Sequence, residues 1–324
     1  MASSLPERVP LICSPTPLHR LDRISEATGL DFWIKRDDLT GFAMGGNKGR
    51  KLEFIMAEAL QQRAEVVVTC GAVQSNFIRQ LGAACSRFGL QCAAAVMDCP
   101  FDGPAGHPET PSPAAGGNEL LDHILAVDLR HFPDDIWEVL YERFDELADE
   151  YSKTKKVYKV ASGGATVLGA YAFRAAAQEI AAQTESFDNV VLGTGSGSTQ
   201  AGLLHGLPAG TRVIGVASDP EPDLVYEVER LCQELDALLG IEPRDRLNRI
   251  ELHVEYVGPG YGIPSEQGNK AIKLLAHSEG IFLDPIYSGK AFSGLLDMAS
   301  KKEITGRTLF WHTGGMPALF ARPR

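Results

Sequence analysis

One lysine of this chain stands where a surface lysine would gain little. In Gly45-Gly46-Asn47-Lys48-Gly49-Arg50-Lys51 it follows glycine-bearing backbone and precedes Leu52, Ile55, Met56, Ala59 and Leu60, which recur at helical spacing. Lys48 is therefore expected at a helix start, where a cation opposes the macrodipole unless an anion is also bound nearby. An amine held there on pliable backbone is suited to attack a carbonyl carbon and then to move protons as a base. The plain alternative is a solvated turn lysine, and the rest of the chain has to decide between them.

Two further stretches carry polar groups at strand-to-helix junctions. Ser75 and Asn76 sit where the apolar run Val66-Val67-Val68-Thr69 gives way to a helical pattern over Phe77 to Phe88. They read as an ordinary N-cap or as an anion site, and the two readings are compatible. The second stretch is Gly193-Thr194-Gly195-Ser196-Gly197-Ser198-Thr199, between the strand Val190-Val191-Leu192 and a helix. Glycines let backbone N–H groups crowd round an anion, and the hydroxyls add donors. The loop is not a Walker loop, because no lysine follows its glycines. Gly193-x-Gly195 with Asp219 after the next strand is a partial dinucleotide fingerprint, so a nicotinamide dehydrogenase is a competing reading. Against it, Ser198 stands where the fingerprint has a third glycine. Later come Gly260-Tyr261-Gly262-Ile263-Pro264, Leu283-Asp284-Pro285-Ile286-Tyr287-Ser288-Gly289-Lys290 and Trp311-His312-Thr313-Gly314-Gly315. Each sets polar or aromatic residues in a Gly/Pro-bounded loop of the kind that binds ligands at strand ends. Tyr261 or Tyr287 taken alone reads as a packing residue, and His312 as a satisfied loop or core histidine.

The elements that must position these groups alternate between strand and helix. Strands are expected at Phe32 to Lys35, Val66 to Thr69, Cys92 to Met97, Val157 to Val160, Val190 to Leu192, Val213 to Val216 and Leu309 to His312. Helices are expected at Leu21 to Thr28, after Lys48, at Phe77 to Phe88 and at Leu168 to Ala182. That order implies α/β architecture with parallel sheets. Pro133 to Tyr151 reads as an acidic helix with a solvated face. Residues 100 to 118, rich in Pro, Gly and Ser, read as an exposed loop.

With 324 residues, the chain suits one large domain or two of medium size. A net charge of −11 argues against a nucleic-acid partner, since no basic surplus is available to displace counterions from phosphates. No apolar run approaches the ~20 residues needed to cross a bilayer, and no signal peptide is visible at the start. The six cysteines have neither disulfide-framework nor zinc spacing, and Cys70, Cys85 and Cys92 lie in apolar surroundings, which fits a reducing cytoplasm.

Gly-Gly-Asn-Lys-x-Arg-Lys-Leu-Glu, Gln-Ser-Asn, Gly-Ser-Thr-Gln-Ala-Gly, Tyr-Gly-Ile-Pro and Asp-Pro-Ile-Tyr-x-Gly-Lys occur in this order between Gly45 and Lys290. Together with the late Thr-Gly-Gly, the chain resembles the aminocyclopropane-carboxylate deaminase and D-cysteine desulfhydrase family of pyridoxal 5'-phosphate enzymes, with the tryptophan-synthase-β-like fold (fold type II). The resemblance implies two open-sheet α/β domains with the cofactor in the cleft between them. The large domain would comprise residues 1–49 and 163–324, and residues 50–162 would form a small inserted domain. Lys48 would hold the cofactor covalently and later carry protons at the substrate's α-carbon. Gly195, Ser196, Gly197, Ser198 and Thr199 would cradle its phosphate, and Asn76 would bond the ring's 3′-oxygen. Ser75 and neighbouring N–H groups would take the substrate carboxylate, with Asn76, Phe77 and Ser288 also on the substrate side. Tyr261 and Tyr287 would act as proton donor, base or nucleophile. A homodimer is implied too.

Two positions bear on the choice within this family. Ser288 and Thr313 stand where cyclopropane deaminases have glutamate and leucine, which is the desulfhydrase pattern. A carboxylate at the pyridine nitrogen would keep it protonated and make the ring a stronger electron sink, whereas a hydroxyl would not. The resemblance therefore implies α,β-elimination of a β-substituted amino acid such as D-cysteine to a 2-oxo acid and ammonia. The cyclopropane amino acid and cysteate remain as other substrates, and a catalytically silent cofactor-binding relative as a further alternative. Thr313 is expected on the cofactor side. Phe77, where relatives often have a polar residue, is expected to alter the side-chain pocket.

Overall fold

Val66 to Ala72 is buried at every residue, as a strand of a parallel sheet covered on both faces requires. The same logic gives the central strands Asn189–Thr194 and Arg307–His312, each almost wholly inside. The computed structural model describes residues 5–101 and 114–323. In chain order its elements are Leu18–Arg20 (β1), Asp22–Thr28 (α1), Asp31–Arg36 (β2), Lys48–Gln61 (α2), Val66–Ala72 (β3), Asn76–Phe88 (α3) and Gln91–Met97 (β4). Then come Ala114–Gly116 (β5), Gly117–Ile124 (α4), Asp128–His131 (β6), Trp137–Ser152 (α5), Val157–Lys159 (β7), Val167–Gln183 (α6), Asn189–Thr194 (β8) and Ser198–Gly206 (α7). The last part adds Arg212–Ala217 (β9), Leu224–Leu239 (α8), Glu251–His253 (β10), Glu266–Glu279 (α9), Ser288–Ser300 (α10), Arg307–His312 (β11) and Ala321–Pro323 (β12).

β5 pairs with β12 in a separate two-stranded sheet, and the other ten of these strands form two open sheets. One has the order β1-β2-β11-β8-β9-β10 and is parallel except for the edge strand β1. The other, β6-β4-β3-β7, is parallel throughout. Each is covered on both faces. On the first sheet, α6, α7 and α8 pack round Phe173, Leu203, Leu231 and Trp311, while α1, α9 and α10 pack round Phe292, Leu295 and Phe310. On the second, α2 and α3 enclose Leu52, Phe77, Ile78 and Leu81, and α5 covers the other face with Leu140, Phe144 and Leu147. Among the described residues, no helix is long and apolar enough to cross a membrane.

Two expectations need correction. Most of the segment expected as a loop over 100–118 lies outside the described residues, but Ala114–Gly116 forms a strand against Ala321–Pro323 and α4 starts at Gly117. Ser288 is not in a loop but is the first residue of α10, because the Asp284 carboxylate accepts hydrogen bonds from the N–H groups of Ile286, Tyr287 and Ser288 and so starts that helix.

Candidate active site

Parallel strands leave their carboxyl ends open, and the sequence places its glycine loops there. Asn76 and Phe77 follow β3, Ser162 and Gly163 follow β7, Gly195 to Thr199 follow β8, Ser218 and Asp219 follow β9, and Thr313 and Gly314 follow β11. All except Ser198 line one cavity of about 390 Å³, with Lys48, Tyr261 and Tyr287.

The Lys48 turn is built from motifs far apart in sequence. The Asn47 N–H donates to the Thr313 carbonyl at 2.9 Å, and its side-chain Nδ2 donates to Thr199 Oγ1 at 3.1 Å. That amide bridges the lysine turn to the glycine loop instead of capping its own helix. A Cβ on Gly314, whose φ is +95°, would come within 2.5 Å of Gly46 Cα, so two glycine motifs cross here at a distance no other residue permits. Beneath them Arg50 is buried between Asp37 and Glu179 at 2.8 Å from each, and Trp311 Nε1 donates to Asp37 at 2.8 Å. This ion cluster fixes the first turn of α2 against the end of β2.

Lys48 Nζ donates to the Gly163 carbonyl at 3.2 Å, and burial lowers its pKa to about 8. Lys51 Nζ shares that carbonyl at 3.0 Å and also donates to Ser198 Oγ at 2.8 Å; burial and the Lys48 charge hold it well below an ordinary lysine. Lys48 is thus a cavity-lining amine of which about a tenth is neutral at pH 7, against well under a thousandth for an ordinary lysine. Competitive acylation of the apoprotein with a small anhydride should accordingly give Lys48 a reactivity midpoint near pH 8; a midpoint near 10 would contradict it.

In the same cavity the Tyr261 and Tyr287 hydroxyls lie 2.7 Å apart, Tyr261 buried and Tyr287 partly so, with pKa values raised chiefly by desolvation. They are neutral phenols that can hold and pass a proton. Tyr261 meets the edge of Trp137, whose Nε1 donates to Asp219 at 3.0 Å.

The expected site residues fall into two groups. Lys48, Asn76, Phe77, Gly195, Ser196, Gly197, Thr199, Tyr261, Tyr287 and Thr313 converge on the cavity. Ser75, Ser198 and Ser288 do not line it. The Ser75 hydroxyl caps α3, accepting from the Phe77 and Ile78 N–H groups at 3.2 and 3.4 Å. Ser198 is turned to Lys51 and the Gly164 carbonyl, and Ser288 Oγ lies 2.5 Å from Asp284 Oδ2. His312, given no role, bonds the Phe282 carbonyl and the Gly314 N–H. Sequence reasoning missed Asn47, Lys51, Gly163 and Trp137. The glycine-lysine motif contained two of these, but nothing in Trp137-Glu138 signalled that the first turn of the acidic α5 reaches the cavity.

A model of the family described as "Pyridoxal-phosphate dependent enzyme" matches residues 9–314. The chain is 40% identical over 328 residues to a D-cysteine desulfhydrase of Serratia proteamaculans, covering 97% of this chain and 95% of that one. It is likewise 40% identical over 327 residues to a D-cysteine desulfhydrase of Yersinia pestis, at the same coverage. A crystal structure of an ACC deaminase homologue superposes with TM-score 0.87 at 37% identity, covering 98% of this chain and 94% of that one. A hydrogen sulfide-producing enzyme of Fusobacterium nucleatum, at TM-score 0.65 and 16% identity over 94% of this chain and 96% of that one, shares the fold. The nicotinamide reading of Gly193, Gly195 and Asp219 is thereby overturned.

The residues present fit a pyridoxal phosphate. The first turn of α7 offers N–H groups without intrahelical partners to a phosphate, beside the Ser196 and Thr199 hydroxyls. The buried Thr194 Oγ1 in the cavity wall has no partner among the described residues. A Cβ on Gly163 would meet Ser196 at 2.9 Å and stand 3.5 Å from Lys48 Nζ, so the floor beneath that amine is kept clear.

Proposed function

We propose that this chain, which belongs to the pyridoxal-phosphate-dependent enzyme family, catalyses α,β-elimination from a β-substituted amino acid, D-cysteine above all. D-cysteine and water would give pyruvate, hydrogen sulfide and ammonia without net oxidation. The observation that carries this reading is a nitrogen base, Lys48, and a phenol pair, Tyr261 and Tyr287, lining one cavity.

When bound, the cofactor supplies an electron sink for the pair left on the substrate's α-carbon. Lys48 and the α7 first turn would hold it, with Asn76 and Thr313 at the ring. Lys48 Nζ, neutral for much of its time near pH 8, takes the α-proton. A tyrosine hydroxyl, its neighbour 2.7 Å away ready to reprotonate it, gives a proton to the departing sulfur. Asn76 and the capped N-terminus of α3 orient the substrate carboxylate, and Phe77 closes the side-chain end. From residues 284–315 the cavity is lined by Tyr287, Thr313 and Gly314, none of which is a carboxylate. The lining acids Glu138, Asp219, Glu221 and Glu227 come from α5, from the turn after β9 and from α8. Without a carboxylate from residues 284–315, elimination of a good leaving group is favoured over opening of an unactivated ring.

A panel of D- and L-cysteine, β-chloroalanine, serine, cysteate and the cyclopropane amino acid tests the reading, scored for keto acid, ammonia and sulfide. D-cysteine is expected to be turned over fastest. Activity confined to the cyclopropane substrate would overturn the choice of substrate, and a yellow protein inert to all six would identify a silent relative. The same proposal includes a homodimer, a cytoplasmic setting, and a division into residues 1–49 with 163–324 and residues 50–162. The two sheets support that division, and the six free cysteines, five of them buried, support a reducing compartment.

A further inference from the structure

We propose that Asn118 and Arg79 are positioning residues that lock the Asn76 amide with its Nδ2 toward the cavity, and so set how tightly the pyridoxal ring is held. The inference rests on the cofactor reading above.

A side-chain amide can turn over, exchanging donor for acceptor, unless its neighbours forbid it. Here both ends of a hydrogen-bond chain are of fixed sense. Arg79 is wholly buried, and a guanidinium can only donate. Its Nε meets an oxygen of Asn118 at 2.7 Å, which assigns that atom as Oδ1 and the other as Nδ2. Asn118 Nδ2 then donates to the Gln74 carbonyl at 2.8 Å, an acceptor that cannot be anything else. The Gln74 side chain ties down the Asn118 backbone as well, accepting its N–H at 2.9 Å and donating to the Gly116 carbonyl at 3.1 Å.

The consequence falls on Asn76. The remaining hydrogen of Asn118 Nδ2 reaches Asn76 at 3.0 Å, and Arg79 Nη2 approaches the same atom at 3.5 Å. Two donors converge, so that atom is Oδ1 and the Asn76 Nδ2 must face the other way. Asn76 lines the cavity, and its Nδ2 has no acceptor among the described residues. A turned amide would set Nδ2 against two donors and offer the cavity an acceptor. Arg79 Nη2 and Gln80 Nε2 also hold the Gly45 carbonyl, at 3.3 and 2.9 Å, three residues before Lys48. The relay therefore ties the Asn76 donor to the lysine turn. The matching ligand group is an oxygen acceptor on the ring, best an anionic one.

Asn118→Asp tests this with little change of volume. It keeps an oxygen for Arg79 and replaces the donor facing Asn76 with an acceptor, which favours a turned Asn76. The apoprotein should then bind pyridoxal phosphate about tenfold more weakly, the effect of one charge-assisted hydrogen bond. The visible band of the bound cofactor should shift as well. The same loss should appear with 4-deoxypyridoxine 5′-phosphate, which keeps the ring hydroxyl and phosphate but lacks the carbonyl that Lys48 attacks. In an Asn76→Ala background, Asn118→Asp should change affinity less than about twofold, because its effect passes through Asn76. Equal losses in both backgrounds, or none in the first, would overturn the proposal. If melting curves show that Asn118→Asp fails to fold, Arg79→Lys replaces it; it keeps the charge, removes the fork, and should give the same non-additive loss. Wild-type apoprotein that binds neither compound would instead overturn the cofactor reading and this inference with it.

Discussion

Lys48→Ala is expected to lower turnover by at least about a thousandfold, a barrier increase of about 4 kcal/mol, while the phosphate cradle continues to bind 4-deoxypyridoxine 5′-phosphate. Among the described residues no other amine lines the cavity. Lys51 shares the Gly163 carbonyl but is pinned by Ser198 and does not line the cavity. Borohydride fixation of the wild-type holoenzyme and peptide mapping should label Lys48. A label on Lys51, or a variant retaining a tenth of the activity, would break the assignment. The fold supplies a second readout through Lys48→Met, which keeps the stem and removes the titrating group. Because burial lowers the folded-state pKa from 10.5 to about 8, folded protein binds fewer protons than the unfolded chain between those values. The Lys48 contribution to stability is therefore unfavourable below pH 8 and is relieved as pH rises toward 10.5. Apo Lys48→Met should melt above wild type at pH 7, and its advantage should shrink from pH 8 to 10. A constant difference would mean that the amine is not desolvated.

The parts of this site written in local pattern were legible, and those made by distant contacts were not. Val66-Val67-Val68-Thr69 and Val190-Val191-Leu192 announce strands because two covered faces demand continuous apolar runs. Ser75 announces a cap because its hydroxyl serves N–H groups two and three residues away. The pairing of Tyr261 with Tyr287 and the Lys51–Ser198 bond span 26 and 147 residues, and nothing in either local stretch foretells them. Asn118 ends a stretch whose Pro, Gly and Ser content reads as bare loop, yet it is fully buried. Ser288 shows the opposite failure. Its family position suggests a ligand contact, but Asp284 four residues earlier takes the hydroxyl. A glutamate at 288 would set a second buried carboxylate against the first, so Thr313 is the better place to probe the ring's surroundings.

That role of Asp284 leads to the largest expected loss of stability. Asp284 is fully buried; Oδ1 accepts the Ile286 and Tyr287 N–H groups, and Oδ2 accepts the Ser288 N–H, each at 2.8 Å, as well as the Ser288 hydroxyl. One carboxylate thus starts α10 and fixes the backbone that carries Tyr287. It also packs where a Cβ on Gly315 would come within 2.5 Å, so the late glycine pair and this cap are shaped to each other. Asp284→Ala takes the acceptor from four donors, two of them in part-buried bonds, and leaves the Ser288 hydroxyl only the Gly314 carbonyl at 3.4 Å. At about 1–3 kcal/mol for each buried group that finds no water, a net loss of roughly 3–5 kcal/mol is expected. The melting temperature should fall by roughly 4–7 °C. Turnover should fall with it, because freeing the Tyr287 backbone breaks the 2.7 Å hydroxyl pair. Tyr287→Phe supplies the control, since it removes the hydroxyl but keeps the cap and should lose activity at nearly unchanged melting temperature. Asp284→Ala that melts within about 2 °C of wild type would show that water or a shifted backbone serves those donors, and that the cap does not hold Tyr287 in place.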